Sequence, residues 1–226
     1  MSSTECSLSC LLRESSFDDS YYNLAQTIYL AVAEWFPKAT NIWATGHSLG
    51  GALAGLVAIT NGIPAFAFEA PGDLMYASRI GLLPTGIEID SFLEALPIYH
   101  FGNVNDPIYT GTCTGVTSSC YWFDYALESK CHIGKECKID SEVGIYGEIN
   151  LPPKKVIENL KSSLLLSYQD DEFSQEFAGD TMQIESIRWH SIEFVIKTYL
   201  ENAKSVPECR FKPGCLATEC PLWKFT

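Results

Sequence analysis

The stretch "NIWATGHSLGGALAGLVAIT" (Asn41–Thr60) decides how the rest of the chain is read. Its first five residues are apolar or β-tending and predict a short buried strand over Asn41–Thr45. The small and aliphatic run behind them predicts a helix over Ser48–Ile59. Between the two lies Gly46-His47-Ser48-Leu49-Gly50, the pattern G-x-S-x-G. At a sharp strand-to-helix turn the serine takes strained backbone angles, and side chains at the flanking positions would strike the neighbouring strand and helix, so glycine is required there. Gly50, Gly51, Ala52, Ala54 and Gly55 then let the helix pack closely on the sheet. Such a turn exposes Ser48 Oγ at the carboxyl edge of the sheet and sets the Leu49 N–H beside it as an oxyanion donor. A glycine-rich turn with an incidental serine would need neither the strand before it nor the small-residue helix after it.

Working outward, Leu24, Ile28, Val32 and Trp35 recur at helical spacing from Tyr21 to Phe36, and Pro37 ends the pattern. Strands are predicted over Ile63–Ala70 and Ala95–Asn103, with a helix over Asp73–Ile80 between them. Strand and helix alternating at these intervals imply βαβ units and a parallel sheet, an α/β fold of the α/β-hydrolase type. Past Asp106 the texture turns to Gly, Thr, Ser and Cys. The expectation is one domain over residues 1–226 with an irregular, disulfide-pinned excursion at about 107–155. A helix over Val156–Gln169, an acidic loop "DDEFSQEFAGD" and a helix over Glu185–Ala203 complete the reading.

With 28 acidic and 15 basic residues the formal charge is −13, which disfavours nucleic acid and offers no polybasic attraction to anionic lipid. No apolar run approaches the ~20 residues of a membrane span, so no transmembrane segment is expected in this chain. Nine cysteines cluster as Cys6/Cys10, Cys113/Cys120, Cys131/Cys137 and Cys209/Cys215/Cys220. The spacings do not repeat a zinc knuckle, so local disulfides in an oxidising compartment are the better reading, with Cys113–Cys120 and Cys131–Cys137 as short-loop pairs. Yet "MSSTECSLSCLLRESS" is no signal peptide. The simplest resolution is that the sequence is the latter part of a longer protein.

A nucleophilic serine needs a base and an orienting acid, which follow in the order Ser, Asp or Glu, His in this fold. Asp106, in the loop leaving the third predicted strand, lies on the same edge as Ser48, although Asp-Pro is also a common turn opener. Asp73 in "EAPGD" is the runner-up. His47 sits inside the turn and His100 within a strand, which leaves His132 and His190 as candidate bases.

The segments "NIWATGHSLGGALAGL", "PAFAFEAPGD", "YHFGNVNDPIYTGTCTG", "SSCYWFDYALESKCHIGKEC" and "HSIEFVI" together resemble the fungal-type class 3 lipases, above all the vacuolar phospholipases that break down autophagic bodies. The resemblance covers most of the chain from Cys6 to about Cys209. It implies Ser48 as nucleophile, Asp106 as acid and His190 as base, with His132 in a structural block and no metal or cofactor. It also implies a lipid or membrane substrate and a vacuolar, endosomal or secretory lumen. Family members carry an N-terminal anchor, further strands and a second oxyanion donor well before the serine. Here 47 residues precede Ser48, so those early strands are expected to be missing and the strand before Ser48, interior in the full fold, to present an apolar edge. The function expected is a serine lipase acting on acylglycerols or phospholipids. The rival from another class is a non-catalytic lipase-like module that binds lipid or a partner; a protease or non-lipid esterase would share the triad.

Overall fold

The computed structural model describes residues 5–6, 8–15, 20–112, 130–139, 188–202, 205–215 and 224–225. The expected Cys113–Cys120 pair, the helix over Val156–Gln169, the acidic loop and most of the excursion lie outside the described residues.

A strand β1 (Glu5–Cys6) and a helix α1 (Leu8–Ser15) precede α2 (Tyr21–Trp35), which starts at Ser20, whose hydroxyl accepts the Asn23 N–H. Then come β2 (Ala44–His47), α3 (Leu49–Asn61), β3 (Ala65–Phe68) and α4 (Leu74–Arg79). They are followed by α5 (Ile89–Ala95), β4 (Ile98–Asn103) and β5 (Lys135–Ile139). A 3-10 turn (Arg188–His190) leads into α6 (Ile192–Val195) and a π turn (Ile196–Leu200); β6 (Cys209–Phe211) and β7 (Lys224–Phe225) close the order. β1 and β7 form a small parallel pair, while the main sheet has the order β2-β3-β4-β5-β6. Its first four strands are parallel and β6 is antiparallel, so the sheet with its helices is of the α/β-hydrolase type. Parallel registry sets Gly46 opposite Ala67 and His47 opposite Phe68, which brings the ends of β2, β3 and β4 to one edge.

The glycines behind the serine permit a close helix–sheet contact. A β-carbon on Gly46 would stand 2.2 Å from the Gly50 oxygen, and one on Gly51 2.9 Å from Ala70 Cβ. α3 buries Ala54, Leu56, Val57 and Ala58, and Leu56 joins Ala65, Leu74, Leu93, Ile98 and Ile133 in the core. Each such aliphatic side chain removed from water contributes roughly 1.5–3 kcal/mol. By contrast α2 has no buried residue, and its apolar positions Leu24, Ile28 and Trp35 are exposed. Among the described residues β2 is an edge strand.

Two features differ from the sequence expectations. Part of the supposed excursion is β5, an interior strand, and the cysteines there pair over long range: Cys131 with Cys215 and Cys137 with Cys209. The short pair Cys131–Cys137 is excluded because β5 carries Cys137 outward in extended chain, at ~3.3 Å per residue. Cys137 instead faces Cys209 across the β5–β6 ladder, with 4.1 Å between their α-carbons. No helix among the described residues is long and apolar enough to cross a membrane.

Candidate active site

Ser48 follows β2 directly, with φ 56° and ψ −130°, and is the residue from which α3 departs. This is a conformation that non-glycine residues avoid. The surrounding bonds hold it: Ser48 N–H donates to the Phe68 carbonyl at 2.9 Å, and the Ser48 carbonyl accepts the Gly51 N–H at 2.9 Å. Leu49 opens α3, so its N–H is one of the first-turn amides that lack an intrahelical acceptor. That amide stands next to Ser48, where an oxyanion would form.

Ser48 Oγ lies 2.8 Å from His190 Nε2, and His190 Nδ1 lies 2.7 Å from Asp106 Oδ2. The carboxylate accepts from Nδ1–H, which leaves Nε2 with its lone pair toward the serine hydroxyl. Asp106 is 0% exposed, and its other oxygen accepts the Ile108 N–H at 2.9 Å. Its loop is tied back to β4, because Asp106 N–H donates to the Asn103 carbonyl at 3.0 Å. His190 sits at the end of the 3-10 turn before α6, within the segment expected as a helix over Glu185–Ala203. The structure thus brings Ser48, His190 and Asp106 together across 142 and 84 residues of sequence separation.

His47, read from sequence as merely part of the turn, touches the candidate base. Its Nε2–H donates to the His190 carbonyl at 2.7 Å, and the two rings are 5.0 Å apart. Burial lowers the His47 pKa below the usual histidine value, which favours the neutral ring.

Asp73 and His132, the other acid and base considered, are brought together elsewhere. Asp73 Oδ1 accepts the Ile133 N–H at 2.8 Å, and Oδ2 is 3.5 Å from His100 Nε2. The His100 and His132 rings stand 4.7 Å apart, His132 Nε2–H donates to the Ala70 carbonyl at 3.0 Å, and His132 Nδ1 is 3.6 Å from Glu136. All four side chains are buried. Burial opposes ionisation of Glu136, but the nearby His132 ring and the Lys138 ammonium at 2.8 Å outweigh it and hold its carboxyl at about 2.

Glu69 was not singled out from sequence. It sits one residue beyond β3 with φ 46°, wholly buried, and both of its oxygens are 3.0 Å from the Asn103 N–H. Burial, and then the neighbouring Asp106 carboxyl group, raise its pKa above the ordinary carboxyl range. The available signal was a lone acid closing the apolar strand "PAFAF" at the edge that carries Ser48.

The chain is similar to known lipase sequences. The family described as Lipase (class 3) matches residues 8–61, which contain the Ser48 turn. A protein of Debaryomyces hansenii named "Putative lipase ATG15" is 42% identical over 73% of this chain and 26% of its own length. One of the same name from Penicillium rubens is 34% identical over 96% of this chain and 27% of its own. The chain therefore spans about a quarter of the length of the curated relatives it matches. Over the region shared, this is a fungal class 3 lipase sequence related to the proteins named ATG15.

Proposed function

We propose that the chain is a lipase domain that hydrolyses carboxylic esters of acylglycerols or phospholipids through Ser48, His190 and Asp106. The observation that carries this reading is the continuous hydrogen-bonded order Asp106–His190–Ser48 beside the first amide of a helix. Ser48 Oγ attacks the ester carbonyl while His190 Nε2 takes its proton, and Asp106 stabilises the imidazolium that forms. The carbonyl oxygen, now negative, accepts from the Leu49 N–H. His190 then protonates the departing alkoxide, leaving an acyl group on Ser48. Water, deprotonated by the same nitrogen, releases the fatty acid and restores the serine.

A lipid substrate is supported by the residues next to each member of the triad. Leu49 beside Ser48, Val104 near Asp106 and Ile192 near His190 are 50%, 39% and 48% exposed. Aliphatic side chains left in water around a polar centre suit an acyl chain better than a peptide. The disulfides and the family resemblance support work in an oxidising vacuolar or endosomal lumen, where lysis of enclosed membranes would be the role.

Fatty-acid release from phospholipid vesicles and from triacylglycerol emulsions, compared with a Ser48→Ala variant, tests the proposal. Release by the wild type alone supports it. Vesicle binding without release by either protein would favour the non-catalytic module instead.

A further inference from the structure

Among the described residues, only Ser48 and Glu69 are non-glycine residues with positive φ. Strain of this kind persists only where the surroundings impose it. For Ser48 the reason is exposure of the nucleophile. For Glu69 the surroundings point to the neighbouring acid. Its N–H donates to the Phe101 carbonyl at 2.8 Å, which anchors the strained residue to β4. Its side chain turns back to the Asn103 N–H, and the Asn103 carbonyl in turn accepts from Asp106 N–H. Two wholly buried carboxyl groups in contact cannot both ionise. Asp106 accepts from His190 Nδ1–H at 2.7 Å and from Ile108 N–H at 2.9 Å, one donor on each oxygen, whereas both Glu69 oxygens share the Asn103 N–H at 3.0 Å and have only the neutral Tyr199 hydroxyl besides. The proton therefore resides on Glu69.

We propose that Glu69 is a positioning residue for the Asp106–His190 pair: its carboxyl group donates a hydrogen bond to the Asp106 carboxylate and clamps the Asn103–Asp106 turn against β3. The role rests on the serine-hydrolase reading above. It supplies from the protein a donor that water cannot supply at a sealed oxygen. Burial, then the hydrogen bond and charge of Asp106, push the Glu69 carboxyl up to about 9. The other titratable groups facing it are Asp106, with His190 behind it, and the Tyr109 and Tyr199 hydroxyls. Burial pushes both phenols up, so they stay neutral while Glu69 titrates. When Glu69 loses its proton the donated bond disappears and a second negative charge stands against Asp106. Activity should therefore fall on the alkaline side for a reason unrelated to His190.

The test is the pH dependence of kcat and KM on a soluble short-chain ester for the wild type, Glu69→Gln and Glu69→Ala. Glutamine keeps a donor that does not ionise. The expected result is neutral-pH activity of Glu69→Gln within about threefold of wild type, with the fall near pH 9 abolished. Glu69→Ala should lose roughly 10–100-fold in kcat with little change in KM. An alkaline limb unchanged in Glu69→Gln overturns the proposal, as does an alanine variant as active as wild type. Should alanine prevent folding, the glutamine profile alone decides. A wild type with no ester turnover would instead defeat the functional reading, and denaturant midpoints against pH would still report on Glu69. A proton held by the native state alone makes stability fall from about pH 4.5 toward pH 9 in the wild type. That slope should be absent in Glu69→Gln; its persistence there refutes the buried donor.

Discussion

The described residues build two acid–histidine sets from the same residue types, and only one of the two reaches a serine hydroxyl. In the first, Asp106 and His190 are 2.7 Å apart and the far nitrogen of the ring meets Ser48 at the end of β2. In the second, Asp73 and His100 are 3.5 Å apart beneath α3, and His132 and Glu136 extend the set into β5. The first sits where strands end, so the side chains project from the sheet edge and His190 keeps partial exposure. The second is covered by the helix, and Asp73 Oδ2 lies within 2.5 Å of where a Gly55 β-carbon would be. Composition is therefore a poor guide to chemistry here. Position relative to the strand ends separates the pair proposed to be reactive from the buried one.

The largest contrast is in turnover. Alanine at Ser48, Asp106 or His190 should each reduce ester hydrolysis by on the order of 10³–10⁶ while the fold is retained. Asp73→Ala and His132→Ala should keep most of the turnover of whatever protein folds, and lose stability instead. For Asp73 the loss is roughly 1–3 kcal/mol, the cost of leaving the buried Ile133 N–H without its acceptor. Substantial activity in His190→Ala together with none in His132→Ala would reverse the assignment of the two sets.

The two regions should also respond differently to an added methyl group. Gly46→Ala places a carbon 2.2 Å from the backbone oxygen of Gly50, and that backbone must move for the protein to fold. Activity should vanish with the turn. Gly55→Ala meets the Asp73 carboxylate at 2.5 Å, a side chain able to give way. Overpacking costs about 1–3 kcal/mol, and the better helix propensity of alanine returns up to about 1 of that. Thermal unfolding and turnover of the two variants, side by side, measure the difference.

Opposite pH signatures give a finer distinction. Burial holds His100 well below the ordinary histidine range, so it is neutral when folded and takes up a proton on unfolding. A folded-state pKa below the unfolded value makes stability fall as the pH drops below about 6.5. Glu69 acts in the other direction, lowering stability as the pH rises from about 4.5 to about 9. In urea midpoints against pH, His100→Gln should flatten the acid side and Glu69→Gln the alkaline side. The smallest effect is expected at Leu49→Ala, less than about threefold on a soluble ester, because the chemistry assigned to this residue uses its backbone N–H.

Local physics made the Ser48 turn legible, since its strand, glycines and small-residue helix all lie within twenty consecutive residues. Asp106 was legible because it follows a readable apolar strand. His190 was not separable from His132 by residue reading, and the family resemblance made that choice. Glu69 escaped notice and His47 was set aside because their contacts, to the Asn103 N–H and to the His190 carbonyl, exist only after chain closure. β5 was hidden by "KECKI", whose charges suggest a loop. In the fold Glu136 is neutralised by Lys138, and Lys135 reaches the carbonyls of Glu94 and Leu96 that end α5. The cysteine partners were illegible for a related reason: pairing depends on which strands become neighbours, and β6 arrives from 72 residues away.

The most direct measurement is covalent labelling by a fluorophosphonate, with the modified residue found by peptide mass spectrometry. This reagent reacts with serines that a neighbouring base activates, and needs no knowledge of the lipid. The account predicts stoichiometric modification of Ser48 in the 226-residue chain. Labelling should be lost in Ser48→Ala, strongly slowed in His190→Ala and Asp106→Ala, and little changed in His132→Ala. Modification at another serine, or labelling of Ser48 that survives the loss of His190, would contradict it.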